Sequence, residues 1–366
     1  MEPHCCEADV IAGLEPFVGQ ELAALGVRHA HVVQPRVIRF SARALRPLLG
    51  LRMALSVYLL RRYAVPRPKA LLGDQHLRAL FAQVDAALGL APRGAYRTFM
   101  LGAAGAGSTV MTRLKSAIAQ HTGLREVHEE GDLLIRIRPG RGPSPDAQGG
   151  EAPQEATDSS RLASGWDVLV RLSPKPLATR AWRVCNIPGS LQATVAHAMA
   201  WLTRPTPDDV YLNLGCGSGT LLIERAAAGP ARRLIGCDTD PHALTCAQAN
   251  IAAYQEGARG ERPPFELREW DMRCLPLPDA SVDAITADLP FGHRVGSHDD
   301  NMALYPALLR EAARVAKPGA RSVFITAEVR LMESALAQTP SPWLRDLTFR
   351  VDLGGLRPAI FALRRA

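Results

Sequence analysis

The sequence predicts an α/β protein in which a mostly parallel sheet fills the C-terminal half and an α+β region precedes it. Three observations carry that prediction. From about Pro207 short apolar runs alternate with helical patterns, a glycine-rich turn joins the first of these strands to its helix, and the chain closes with two β-type runs joined at Gly354-Gly355. Such alternation implies parallel strands covered by helices on both faces. The closing pair reads as an antiparallel hairpin.

The elements follow in chain order. Gly13 to Leu25 (GLEPFVGQELAAL) has apolar residues at helical spacing, and Val32 to Phe40 reads as a strand pair. Residues 95 to 138 read strand, glycine-rich turn (Gly102 to Ser108), helix (Thr109 to Thr122), strand. Arg113 and Lys115 in the first two turns of that helix make it a candidate phosphate contact. The turn lacks a GK[ST] ending, so it is no nucleotide triphosphate loop. Asp132 to Arg138 and Trp166 to Leu172 are expected strands. Between them Pro139 to Gly165, rich in Pro, Gly, Ser and acids, reads as a flexible insertion between neighbouring strands. Beyond Pro207 the expected strands are Val210 to Leu214, Arg233 to Cys237, Phe265 to Glu269, Val282 to Ala287 and Arg321 to Thr326. Helices Leu221 to Ala228, Pro241 to Gln255 and Leu304 to Ala316 alternate with them, and Leu347 to Leu353 with Arg357 to Leu363 form the hairpin.

Composition narrows the function. The 366 residues, 47% of them hydrophobic, imply more than one domain with sizeable cores. The longest apolar candidate, Leu48 to Leu60, is broken by Arg52 and is shorter than the roughly 18 residues a membrane span needs. The N-terminus MEPHCCEADV has no basic or apolar signal region. We expect a cytoplasmic, monomeric protein with no membrane association. Cys5, Cys6, Cys185, Cys216, Cys237, Cys246 and Cys274 show no CxxC spacing and read as small buried hydrophobes, with no metal site and no disulfide. The net charge of +7 is uneven: residues 1 to 205 hold 25 Lys+Arg against 16 Asp+Glu, and residues 206 to 366 hold 18 against 20. The first half is therefore the expected polyanion contact, although only four of the 43 basic residues are Lys and part of the excess is an arginine bias.

In YLNLGCGSGTLLIERA a short strand runs into Gly215, Gly217 and Gly219 and then into a helix at Thr220. Glycines there let a ligand approach the carboxyl end of the strand. Nineteen residues after Gly219, Asp238 ends the next strand, where a carboxylate can accept both hydroxyls of a ribose. The pair fits a dinucleotide or S-adenosylmethionine. Three features favour the latter: the G-x-G-x-G spacing without a pyrophosphate-seating G-x-x-G, the acid Asp271 in EWDMRCLPL where an adenine amino group needs an acceptor, and the terminal antiparallel hairpin. After the fourth strand comes DLPFG, Asp288 to Gly292. The Asp288 side chain and the Leu289 carbonyl, held out by Pro290, can accept the two N–H bonds of a nucleobase amine, and Phe291 can stack on the base.

DLPFG resembles the (Asp/Asn)-Pro-Pro-(Tyr/Phe) motif of amino-group methyltransferases, especially as it occurs in THUMP-domain tRNA guanine-N2 methyltransferases. NLGCGSGTLLIERA, SPKPLATRAWRVCNIPGSLQATVAHAMAWL, LYPALLREAARVAKPGARSVFIT and GGLRPAIFALRR are similar to further segments of that family. The resemblance implies a Rossmann-like class I methyltransferase sheet over 207–366, a ferredoxin-like domain over 1–65, a THUMP RNA-binding domain over 66–172 with its loop at 139–165, and a linker over 173–206. It implies transfer of a methyl from S-adenosylmethionine to guanine N2 in tRNA, at acceptor-stem position 6 before position 10 or ribosomal RNA. Gly215, Gly217, Gly219 and Thr220 would surround the methionine moiety, Asp238 the ribose, and Asp271 with Met272 the adenine. Asp288, Leu289, Pro290 and Phe291 would hold guanine. Asn213 stands where the family usually has Asp, which leaves a charge interaction with the cofactor in doubt and an inactive RNA-binding relative as the alternative.

Overall fold

The computed structural model describes residues 3–140, 165–257, 264–291, 298–338 and 343–366. The expected flexible insertion lies almost wholly outside them. The chain divides into two units, Met1–Val10 with Glu15–Leu177, and Ile11–Leu14 with Ala178–Ala366.

The first unit contains β1 (His4–Val10), α1 (Glu15–Ala24), β2 (His31–Gln34), β3 (Val37–Ala42), β4 (Ala54–Tyr63), α2 (Asp74–Leu88), β5 (Thr98–Ala103), α3 (Thr109–Thr122), β6 (Arg125–Glu126), β7 (Leu133–Pro139) and β8 (Trp166–Arg171). They form one eight-stranded sheet in the order β2-β3-β1-β4-β8-β7-β5-β6. The sheet is continuous from residues before 65 to residues after 66, because β4 pairs with β8 from Tyr58↔Arg171 to Tyr63↔Trp166. The strands flanking the insertion are neighbours, as expected, with Ile135 opposite Val170.

A buried charge network crosses this sheet. Register sets Glu7 opposite Arg39 and Asp167 opposite both Arg62 and Arg138. Arg39 Nη2 donates to Asp167 Oδ2 at 3.0 Å, Arg62 Nε to Asp167 Oδ1 at 2.7 Å, and Arg138 Nη2 to Glu7 Oε2 at 2.6 Å. Glu7 and Asp167 have no exposed surface, so these arginines are spent inside the fold.

The second unit contains α4 (Ala193–Leu202), β9 (Val210–Leu214), α5 (Thr220–Ala228), β10 (Arg233–Asp238), α6 (Pro241–Gly257), β11 (Phe265–Glu269), β12 (Val282–Asp288), α7 (His298–Val315), β13 (Ala316–Thr326), α8 (Val329–Gln338), β14 (Trp343–Arg350) and β15 (Ala359–Arg365). Its seven strands run β11-β10-β9-β12-β13-β15-β14, with β11 to β13 parallel and β15 antiparallel to both β13 and β14. Central β9 is buried at every position because helices cover both faces of the sheet. Val210, Leu212 and Leu214 join the core of Tyr305, Leu308 and Phe324, while Tyr211 packs on the other face with Leu222 and Ile223. The stretch 173–206 carries α4, whose residues Ala193–Ala200 are all buried. Among the described residues no helix is long and apolar enough to cross a membrane.

Candidate active site

Parallel pairing places the carboxyl ends of β10, β9 and β12 side by side. Leu214 leads straight into the glycine turn. Gly215 has φ +57°, and a Cβ there would lie 2.8 Å from Met272 Cε. Gly219 has φ +79°, with a Cβ position 3.2 Å from that of Ala247. Both φ values disfavour a side chain, and an added Cβ would press on Met272 or Ala247. Gly217 donates its N–H to Asp238 Oδ2 at 2.8 Å, and Asp240 donates its own to Asp238 Oδ1 at 3.0 Å. The predicted turn and the acid of the next strand are therefore in direct contact.

Asn213 is fully buried opposite Thr286 and donates from Nδ2 to the Thr286 carbonyl at 3.2 Å. Its Oδ1 has no hydrogen-bond partner. A buried orphan acceptor costs about 1–3 kcal/mol unless a ligand donor meets it. Two residues before Gly215, it fits an ammonium or N–H donor of a bound cofactor. The neutral amide can accept such a bond without the full charge an aspartate would bring.

Strand alternation puts Thr286 and Asp288 on one face of β12, the face that carries Asn213 on β9. Part of Asp288 remains exposed, but its carboxyl is deep enough that desolvation pushes it up to about 7. Leu289 continues the strand by donating its N–H to the Ile325 carbonyl at 3.0 Å. The Pro290 carbonyl accepts from Asn301 Nδ2 at 3.0 Å and from the Tyr305 hydroxyl at 2.8 Å. Phe291 is half-buried, and Gly292 falls outside the described residues.

Other expected site residues are held differently. The Thr220 hydroxyl accepts from Arg183 Nη2 at 3.0 Å and is buried, so it is engaged within the protein. Asp271 is clasped by Arg273, whose Nη2 lies 2.6 Å from Oδ2, and that bond holds its carboxyl below the usual carboxylate range. Arg113 and Lys115 lie on α3 of the first unit, where Arg113 is exposed and Lys115 Nζ pairs with Glu126 at 2.7 Å.

Sequence reading missed what overlies the turn. Asn250 on α6 accepts from the N–H groups of Val184 and Cys185 at 2.9 Å each and donates to the Cys185 and Ser218 carbonyls, also at 2.9 Å. One side chain so ties the 184–185 segment to the glycine turn. Cys185 and Cys246 are joined in a disulfide, which corrects the expectation that every cysteine is a free buried thiol. Sixty-one residues separate them, a distance with no spacing signal, and only the return of the chain over α6 brings their Cα atoms to 5.4 Å. The other missed residues, Asn301 and Tyr305, stand four apart on α7, a signal hidden because the helix begins earlier than its apolar pattern.

Residues 180–359 match the family model described as UPF0020, an RMKL-like methyltransferase domain. The match covers almost all of the second unit, which is similar to this family. The chain is 36% identical over 185 residues to the mouse (Mus musculus) protein named tRNA (guanine(6)-N(2))-methyltransferase THUMP3, an overlap of 49% of this chain and 37% of that protein. It is 32% identical over 197 residues to the tRNA (guanine(6)-N2)-methyltransferase of Thermus thermophilus, covering 54% and 56%. These matches therefore span roughly a third to a half of the curated relatives' length. The crystal structure of TrmN from Thermus thermophilus superposes with a TM-score of 0.69 at 25% identity over 99% of both chains. The fold is that of a class I methyltransferase, as the sequence led us to expect.

Proposed function

We propose that the protein is a tRNA (guanine-N2)-methyltransferase acting at acceptor-stem position 6. The observation that carries this reading is the convergence of the glycine turn, Asp238 and the Asp288-Leu289-Pro290-Phe291 turn on one sheet edge, in a chain whose relatives are named for guanine(6)-N2 methylation of tRNA. Gly215, Gly217 and Gly219 would lie against the methionine moiety, with Asn213 Oδ1 as a neutral acceptor. Asp238 would take the ribose hydroxyls, and Met272 with Asp271 the adenine. Arg273 competes for Asp271, so the adenine contact requires that clasp to open or to share its oxygens.

Bound S-adenosylmethionine supplies an electrophilic methyl group. The chain's own residues prepare the acceptor. Guanine N2 is a poor nucleophile because its lone pair is delocalised into the ring. Asp288 and the Leu289 carbonyl accept its two N–H bonds, draw the nitrogen towards a pyramidal geometry and stabilise the positive charge that develops on it. Asp288, with its carboxyl raised to about 7, is also suited to take the proton that leaves the amine. Phe291 provides the stacking surface, worth about 1–3 kcal/mol per base. A paired base cannot reach this edge, so the guanosine is extruded before transfer.

In this reading residues 1–65 form a ferredoxin-like domain, 66–172 a THUMP RNA-binding domain, and 173–206 the link to the catalytic part at 207–366. The basic first half takes the acceptor end of tRNA, with Arg113 and Lys115 among the contacts, and the protein acts as a cytoplasmic monomer. The deciding experiment incubates the purified protein with S-adenosylmethionine and unmodified tRNA and maps methylated nucleosides by mass. N2-methylguanosine at position 6 is expected. Methylation at position 10, or only of ribosomal RNA, would replace the proposed substrate, and no methylation of any RNA would sink the reading.

A further inference from the structure

Tyr305 and Asn301 are both fully buried, stand one turn apart on α7, and both donate to the Pro290 carbonyl. We infer that they are positioning residues that aim the Asp288-Leu289 pair, an inference that rests on the methyltransferase reading above.

The directions of the bonds around the Pro290 carbonyl follow from the groups that make them. A carbonyl only accepts, so the single Tyr305 proton goes to Pro290. Thr326 Oγ1, 2.7 Å from the Tyr305 hydroxyl, must then donate to it, and Thr326 Oγ1 in turn accepts the Glu328 N–H at 2.9 Å. Asn301 spends one amide proton on Pro290 and the other on Glu328 Oε1 at 2.7 Å. The second oxygen of Glu328 meets His298 Nδ1 at 2.5 Å. Two chains of bonds from the end of β13 and the start of α8 thus converge on one acceptor, and each link polarises the next.

The effect falls on the neighbouring carbonyl. Pro290 has its φ fixed by its ring, and a residue before proline is confined to extended backbone. Leu289 is anchored on one side by its N–H bond to Ile325, and the Pro290 carbonyl is pinned on the other by Asn301 and Tyr305. The Leu289 carbonyl lies between these two anchors and has little freedom left. Misplacement of a reacting group by 1 Å costs on the order of 10²-fold in rate. The network therefore supplies transfer geometry without touching cofactor or base.

The test compares wild type with Tyr305→Phe, Asn301→Ser and the double variant. Single-turnover methyl transfer to tRNA should fall about tenfold for each single change and about 100-fold for the pair. Dissociation constants for S-adenosylhomocysteine and tRNA should stay within about twofold of wild type. Hydrogen exchange should accelerate in the peptide covering 286–291 and stay unchanged in 210–220. Transfer within twofold of wild type, or losses of rate, affinity and melting temperature in parallel, would overturn the assignment. If wild type labels no RNA, the proposed function fails, and exchange in the two peptides alone decides whether Asn301 and Tyr305 hold the turn.

Discussion

Gly217 and Asp238 meet through a 2.8 Å hydrogen bond from the glycine N–H to Oδ2, which makes the glycine turn and the end of β10 one piece. Asp238→Ala removes the anchor and the expected ribose acceptor together. S-adenosylhomocysteine should bind about 10- to 100-fold more weakly, corresponding to about 1.4–2.8 kcal/mol. Isothermal titration calorimetry checks this, and an affinity within twofold of wild type would remove Asp238 from the site.

Asp288 predicts a pH dependence of known sign. Its folded value is raised by desolvation to about 7 from an ordinary 3.8, and in the proposed reaction the ionised form would accept the amine. kcat/KM should therefore rise with pH through about 7, and Asp288→Asn should lose that inflection. Stability runs the other way. The folded state holds this proton more tightly than the unfolded chain, so the carboxyl's contribution falls as pH rises from about 4 to about 7. The Asn variant should lack that decline, as thermal melts at pH 5 and pH 8 would reveal.

The Glu7–Arg39–Asp167–Arg62 network makes the first unit sensitive to a single deletion. Asp167→Ala removes the buried carboxylate that Arg39 and Arg62 share and should destabilise that unit by about 3–5 kcal/mol. Urea unfolding monitored by near-ultraviolet circular dichroism reads the loss. A cost below about 1 kcal/mol would show that water reaches the network.

Arg113 and Lys115 should not behave alike towards RNA. Arg113 is exposed, whereas Lys115 is held by Glu126 and only 13% of its side chain is exposed. Arg113→Ala should weaken tRNA binding and reduce the slope of log affinity against log salt by about 1, with Lys115→Ala giving a smaller change. Equal, unchanged slopes would move the binding face elsewhere on the first unit.

Much of the catalytic half is legible in its residues because its signals are local. A fully apolar strand such as Val210–Leu214, glycines that must turn, and an acid at the end of the next strand each need only a few neighbours to be read. The strands flanking the insertion announce themselves by alternation, and they pair despite the long segment between them. By contrast, the start of α7 was hidden because His298 to Asn301 is polar and only its later residues carry the apolar period.

The sequence by itself indicated most strands and helices of the C-terminal half, the glycine turn, and the carboxylates at Asp238 and Asp288, but not α4 or α8. Only the tertiary structure decided which distant groups meet: Cys185 with Cys246, Asn250 with the glycine turn, Glu7 and Asp167 with three arginines, and Tyr305 with Pro290. The reason is physical. Backbone propensity and hydrophobic period act over a few residues, whereas a buried polar group takes whatever partner the packing of separate elements brings within hydrogen-bond distance.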